Sequence, residues 1–145
     1  MVNQSLSLGW TQSDTAARRA NFRRVLGINL ILHVVIGLAA VLAPRWLSGL
    51  VGLSETLQPG WVSAWGGMVL LVTALYLPGY REPLRARWPN LVGIAGRLGF
   101  ALLYVALALG GSPGFLWLAV FDLSFGLALA TLYFALARAE LMSRP

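Results

Sequence analysis

The sequence predicts an all-α integral membrane protein, an antiparallel bundle of four transmembrane helices. Of its 145 residues, 58% are hydrophobic and 11% charged, a composition unlike that of a soluble domain. Four apolar stretches are each close to the roughly 20 residues that a helix needs to cross the hydrocarbon core. The polar segments between them alternate between Arg-rich and Arg-poor. The predicted spans are residues 25–43, 61–80, 91–110 and 115–137.

The Arg residues predict the orientation. Of the eleven Arg residues, nine lie in the segments before the first span, between the second and third spans, and after the fourth span. The loops after the first and third spans hold only Arg45, and Arg97 lies within the third span. Because Arg-rich loops stay in the cytoplasm, both termini are predicted to be cytoplasmic. The Arg-rich segments contain Arg18, Arg19, Arg23 and Arg24, then Arg81, Arg85 and Arg87, then Arg138 and Arg144.

Each remaining element follows from local signals. Residues 1–24 are predicted to be a cytoplasmic tail with an amphipathic segment whose Arg side chains lie at headgroup depth. In the first external loop, Pro44 suits the first turn of a helix, and apolar residues at helical spacing follow it. We therefore expect a short helix in the outer interface. Residues 111–114 form a tight turn, and residues 138–145 form a cytoplasmic tail.

Tryptophan residues are predicted to anchor the bundle at the two membrane interfaces, where amphipathic rings are favoured. The predicted outer anchors are Trp46, Trp61, Trp65 and Trp117, and Trp88 is an inner anchor. Small residues within the spans favour close packing of the helices. They include Gly37 and Ala40 on the first span, Gly66 and Gly67 on the second, Gly93, Gly96 and Gly99 on the third, and Gly126 and Ala130 on the fourth.

Polar side chains inside the spans are the candidate functional residues, because each is costly in hydrocarbon. Asn29 and His33 are four residues apart and share a helix face. Arg97 lies about 9 Å from the inner end of its span, and Asp122 about 10 Å from the outer end of its own. A direct Arg97–Asp122 pair is therefore within reach of an extended Arg side chain but is not required. Tyr104 continues the stripe of Arg97.

Two interpretations of this polar seam remain open. The functional one is an interior site that binds a quinone headgroup, a haem propionate or a small anion, or that relays protons. The structural one is a buried Arg–Asp pair with hydrogen-bonding neighbours that fixes the register of the helices. The seam is Asn29, His33, Arg97, Tyr104 and Asp122.

The composition excludes several chemistries. The chain has no Cys, so disulfide exchange and iron–sulfur ligation are impossible within it. It has no paired carboxylates, no metal-binding spacing and no phosphate-binding loop, so neither catalytic nor metal-binding residues are predicted. One His cannot supply both axial ligands of a haem. The net charge of +6 follows the predicted topology, and so favours anionic lipid rather than nucleic acid as its partner.

The chain resembles the small bacterial four-span families grouped around DoxX. The similarity lies in "RRVLGINLILH" leading into the first span, "GRLGFALLY" in the third and "FDLSFGLALATLY" in the fourth. It implies an accessory or quinol-linked redox subunit of the bacterial inner membrane, and it carries no pattern of site residues.

Three functions are therefore predicted. The leading hypothesis is a non-catalytic accessory or structural subunit of a larger membrane complex, with other membrane subunits or further copies of the chain as partners. It follows from four spans, short loops and no catalytic constellation. The alternative is a protein that binds a lipophilic cofactor, such as quinone or haem, inside the bundle. The third is a small proton-coupled transporter, with Asp122 as the acidic group.

Overall fold

The computed structural model describes the backbone of residues 2–53 and 58–143, and the side chains from residue 12 onward within those ranges. Across this part of the chain the structure is helical, with no strand. Residues 54–57 of the first external loop and 144–145 of the C-terminal tail lie outside it. The helices are α1 (Val2–Leu42), α2 (Pro44–Leu50), α3 (Pro59–Leu75), α4 (Leu77–Arg81), α5 (Arg87–Leu109) and α6 (Phe115–Met142).

Four segments are long and apolar enough to cross a membrane, and they coincide with the four predicted spans. The all-helical fold and the four spans are therefore confirmed, whereas the side on which the termini lie stays a prediction. The short helix α2 falls in the loop where one was expected, and its position in the outer interface also stays a prediction. The candidate spans are Gln12–Leu42, Pro59–Arg81, Arg87–Leu109 and Phe115–Met142.

The first helix begins well before the first predicted span. It runs without a break from Val2 to Leu42, so the predicted tail and the span form one helix. No Pro interrupts this stretch. Arg18 donates a hydrogen bond to Asp14 at 2.8 Å across one helical turn, a pairing that favours helix.

The second span is divided, which the sequence analysis did not predict. Helix α3 ends at Leu75, and α4 begins at Leu77. Pro78 has no backbone N–H and therefore cannot donate to the preceding turn. The Asn90 side chain is 1% exposed. It donates hydrogen bonds to the carbonyls of Gly79 at 3.1 Å and Pro83 at 3.2 Å. Asn90 thus stabilises the end of the divided span and the loop after it.

We expect Asn90→Ala to lower the free energy of unfolding by about 1–3 kcal/mol, because two buried carbonyls lose their donors. Denaturation of the full chain in detergent measures this. Asn21→Ala, at an exposed position of α1, is the control and is expected to change stability by less than about 0.5 kcal/mol. Equal effects of the two substitutions would contradict the role assigned to Asn90.

Three of the four pairs of neighbouring long helices pack closely together. Helix α1 packs against α3 on one side and α6 on the other, and α6 packs against α5. Among the described residues, α3 and α5 have no extensive contact with each other. A gap therefore separates α3 from α5, whereas α4 contacts α5, and this gap positions the site described below.

The Arg-rich segments lie at one end of the bundle, called here the Arg-rich end. Arg19 of α1 is 3.9 Å from Glu140 of α6, and the Arg23 guanidinium lies 5.0 Å from the ring centre of Tyr80. An apolar cluster that includes Phe22, Leu26 and Leu136 packs below them. At the other end, called the α2 end, a second cluster joins Ala40, Leu47 and Val62.

The predicted tryptophan anchors divide into two groups. Trp46, Trp61, Trp88 and Trp117 are 60–75% exposed, as rings that face lipid would be. Trp65 is half-buried and packs against the second apolar cluster, and its role as an interfacial anchor stays a prediction. Its ring fills space between helices, since α3 approaches α1 closely on that side.

Candidate functional site

Arg97 is the centre of a buried polar cluster. Its side chain is 4% exposed. Nη1 donates a hydrogen bond to Oδ1 of Asp122 at 2.7 Å. Nη2 donates to Oδ1 of Asn29 at 2.5 Å and lies 2.7 Å from Nε2 of His33. One guanidinium thus joins α1, α5 and α6.

The helices place these groups through sequence spacing and close packing. Asn29 and His33 face the same way from α1 because they are one helical turn apart. Gly126 allows α6 to approach α5, since a Cβ there would lie 2.9 Å from the Leu98 side chain. The flexible Arg97 side chain then covers the height difference to Asp122. The pairing that the sequence analysis left open is direct.

The contact with Arg97 fixes the protonation of His33. A guanidinium only donates hydrogen bonds, so Nε2 of His33 acts as the acceptor and the ring proton of the neutral imidazole lies on Nδ1. Nδ1 is buried, and no partner for it occurs among the described residues. Nε of Arg97 is also buried and has no hydrogen-bond partner among the described residues. Nδ2 of Asn29 is also buried without a partner in this part of the chain, so three buried donors of this cluster are unused.

The cluster forms part of the wall of a cavity of about 300 Å³ between α3 and α5. Most of the lining is apolar, with Met68, Val69 and Val72 on the α3 side and Phe100 on the α5 side. Because α3 and α5 do not pack together, the cavity lies in the gap of the bundle. The polar side chains that line it are His33, Tyr76, Arg97, Tyr104 and Asp122.

Tyr104 lies apart from the other four predicted residues. It is 8% exposed and stacks on Phe115, with ring centres 5.7 Å apart and planes at 16°. It lines the cavity toward the α2 end and makes no hydrogen bond with Arg97. The structure thus brings together Asn29, His33, Arg97 and Asp122, and leaves Tyr104 about 10 Å along α5 from Arg97.

Tyr76 is a site residue that the predicted seam omitted. It is 5% exposed and lines the same cavity as Arg97. Its ring occupies the space that a side chain on Gly93 would need. The position of Tyr76, near the end of the second span and away from the Arg97 stripe, gave little sign of this contact. The glycine repeat on α5 was the one feature of the sequence that indicated close approach of another side chain at Gly93.

Aromatic rings shield the guanidinium on the α6 side. The centres of Phe121 and Phe125 lie 5.9 Å and 6.0 Å from Cζ of Arg97, within the range of cation–π attraction. Phe121 also lies 6.0 Å from the His33 ring. The charged pair is therefore enclosed by apolar surface, where hydrogen bonds to it are strengthened.

The donor set does not fit a haem iron. Nε2 of His33, the usual iron ligand, is already hydrogen-bonded to Arg97. Within the described ranges, no three His, Asp or Glu side chains come together as a metal site would require. A neutral ligand with acceptor oxygens fits better, because the unused groups are donors.

No protein-family model matches the chain, and neither a curated protein nor a solved structure matches it.

Proposed function

We propose that this protein binds, without transforming it, a lipophilic molecule whose polar head carries acceptor oxygens, of the quinone class. The observation that carries the proposal is a buried Arg97 guanidinium, paired with Asp122, on the wall of an apolar cavity of about 300 Å³. Mostly apolar walls with a few convergent polar groups are typical of small-molecule sites.

The arrangement around Arg97 supports a head with carbonyl oxygens. Arg97 and His33 each have an unpaired N–H, and Tyr76 and Tyr104 add hydroxyls to the same lining. Asp122 is paired with Arg97, so the cluster has no net charge that would require an ionic ligand. The quinone oxygens would accept hydrogen bonds from donors of this lining.

The open side of the bundle supports a ligand that arrives from the membrane. The gap between α3 and α5 faces outward, and Gly96 lines it with no atom within 4 Å of where its Cβ would stand. A lipophilic molecule would reach the cavity laterally, without crossing water. This is the physical reason for preferring a membrane-dissolved ligand to a soluble anion.

We expect the protein, extracted gently from its membrane, to carry a quinone detectable by mass spectrometry of an organic extract. His33→Ala and Asp122→Asn are expected to lower quinone occupancy at least about tenfold while the protein stays folded, because a loss of about 1.4 kcal/mol has that effect. Asn21→Ala is the matched control. A ligand-free protein that also fails to bind added quinone would contradict the proposal, as would unchanged occupancy in both variants.

A second proposal is that the chain is an accessory subunit of a larger membrane complex. It is supported by the exposed face of α5, where Gly99 has open space above it and Ala95 is exposed, because small residues let a partner helix approach. Blue-native electrophoresis after mild extraction tests this proposal. Migration as a free monomer with nothing co-purifying would rule it out.

Two further proposals concern the family and the location of the chain. Membership of the DoxX-like families and location in the bacterial inner membrane are consistent with four apolar spans. Proton-coupled transport has less support, since Asp122 is bound to Arg97 at 2.7 Å and would have to leave it to carry a proton. Flux assays in proteoliposomes across substrates and pH test transport.

A further inference from the structure

A second apolar cavity adjoins the first toward the α2 end. It has a volume of about 350 Å³ and shares Ile36, Trp65, Tyr104 and Leu118 with the first cavity. The Trp65 and Tyr104 side chains both lie at this boundary. The four shared residues lie at the boundary between the two cavities, so a chain that extends from Arg97 into the second cavity would pass them.

Helix α2 and the described residues that directly follow it cover this second cavity. Leu47 and Ser48 face inward and are each 9% exposed, and Val51 and Leu53 complete the cover. The Ser48 hydroxyl donates to the Pro44 carbonyl at 2.9 Å, so it is not free for a ligand. Most of the lining offers apolar contact, without a charged group.

The cover is held in place from both sides. Leu47 packs with Ala40 of α1 and Val62 of α3. At the turn before α6, a Cβ on Gly114 would stand 2.6 Å from the carbonyl oxygen of Gly52. The two external loops therefore meet over the cavity. This packing favours a pre-formed cavity, which a flexible chain can enter at low cost.

We infer that the second cavity holds the apolar tail of the ligand whose head lies at Arg97, so that the protein selects quinones by tail. This inference rests on the proposed function. The distance from Arg97 to Tyr104 along α5 is about 10 Å. A head without a tail occupies the first cavity alone, whereas a longer tail passes Trp65 and extends beneath α2. If the tail instead leaves the first cavity between α3 and α5 and enters the lipid, the protein does not distinguish quinones by their tails.

The test compares two benzoquinones that share a head, one without a tail and one with a decyl tail. Binding is measured on the full chain in lipid nanodiscs for the wild type and Val51→Phe. Val51 is half-buried and lines only the second cavity, so a larger side chain there fills the tail space. Each variant is compared with wild type for the same quinone, so partitioning into lipid cancels.

We expect Val51→Phe to weaken binding of the decyl quinone about tenfold and to leave the tail-less quinone unchanged. Leu42→Phe, at a position 78% exposed, is the control and should alter neither. Equal weakening of both quinones, or of neither, would overturn the inference while the proposed function stands. If neither quinone binds the wild type, the proposed function fails and this inference fails with it.

A second measurement needs no substitution, and so does not depend on a variant that folds. A decyl quinone with a photoreactive group at the end of its tail is bound to the wild-type protein and irradiated. Labelled peptides from α2 or from the first turn of α3, at Trp61, support the inference. Labelling confined to the gap between α3 and α5, at Met68 or Phe100, would overturn it.

Discussion

Arg97→Leu is expected to lower the free energy of unfolding by about 3–5 kcal/mol, the cost of leaving one member of a buried ion pair without its partner. The Asp122 carboxylate would lose its 2.7 Å hydrogen bond, and Asn29 and His33 would lose a donor. Asp122→Leu is expected to be similarly costly. Thermal or chemical denaturation in detergent measures each change.

The double variant distinguishes a coupled pair from two independent residues. Arg97→Leu with Asp122→Leu is expected to cost much less than the sum of the single substitutions, because neither charge is left alone. Some loss remains, since Asn29 and His33 still lack the guanidinium. Arg97→Lys is the conservative control, and it is expected to be destabilising because an ammonium cannot reproduce the planar fork. Strictly additive single effects would rule out direct coupling.

Gly66→Ala is expected to destabilise the bundle by about 3 kcal/mol, at the upper end of overpacking effects. A Cβ at this position would lie 2.6 Å from Cβ of Ala40 and 2.8 Å from the carbonyl oxygen of Gly37. The Gly37 oxygen is part of the α1 backbone and the Ala40 Cβ is bonded to it, so neither can turn aside. Helices α1 and α3 would therefore have to move apart. The same movement would disturb the wall of the cavity at Trp65.

Gly67→Ala is the matched control for Gly66→Ala. No atom lies within 4 Å of a Cβ at Gly67, so Ala there is expected to be neutral or stabilising by up to about 1 kcal/mol through its higher helix propensity. Both variants change the same residue type by one methyl group, one position apart. If they had equal effects on unfolding, close packing at Gly66 would not be the cause.

The interaction that stabilises the bundle would also prepare the proposed binding site. Arg97 has more donors than its three partners use, because a guanidinium has five N–H groups. A Lys at this position would have fewer donors and no fixed plane. The structural interpretation, a pair that fixes helix register, and the functional one, an interior site, thus describe different atoms of the same side chain.

The sequence by itself determined that the chain is a membrane protein, how many spans it has and which polar residues are candidates for a site. Apolar length sets which segments are stable in hydrocarbon, so the four spans followed directly. The cost of polar groups in that environment is equally local, and it singled out Asn29, His33, Arg97 and Asp122. These properties depend on single segments, and for that reason no neighbour was needed to predict them.

The tertiary structure alone decided which of these groups meet and where space remains. The direct Arg97–Asp122 contact depends on how far α5 and α6 slide along each other, which their own sequences do not specify. The gap between α3 and α5 arises because α1 and α6 take up the close contacts. Tyr76 and Trp65 enter the site only through that packing. Contacts between helices depend on pairs of surfaces, and a single chain pattern carries no measure of the distance between them.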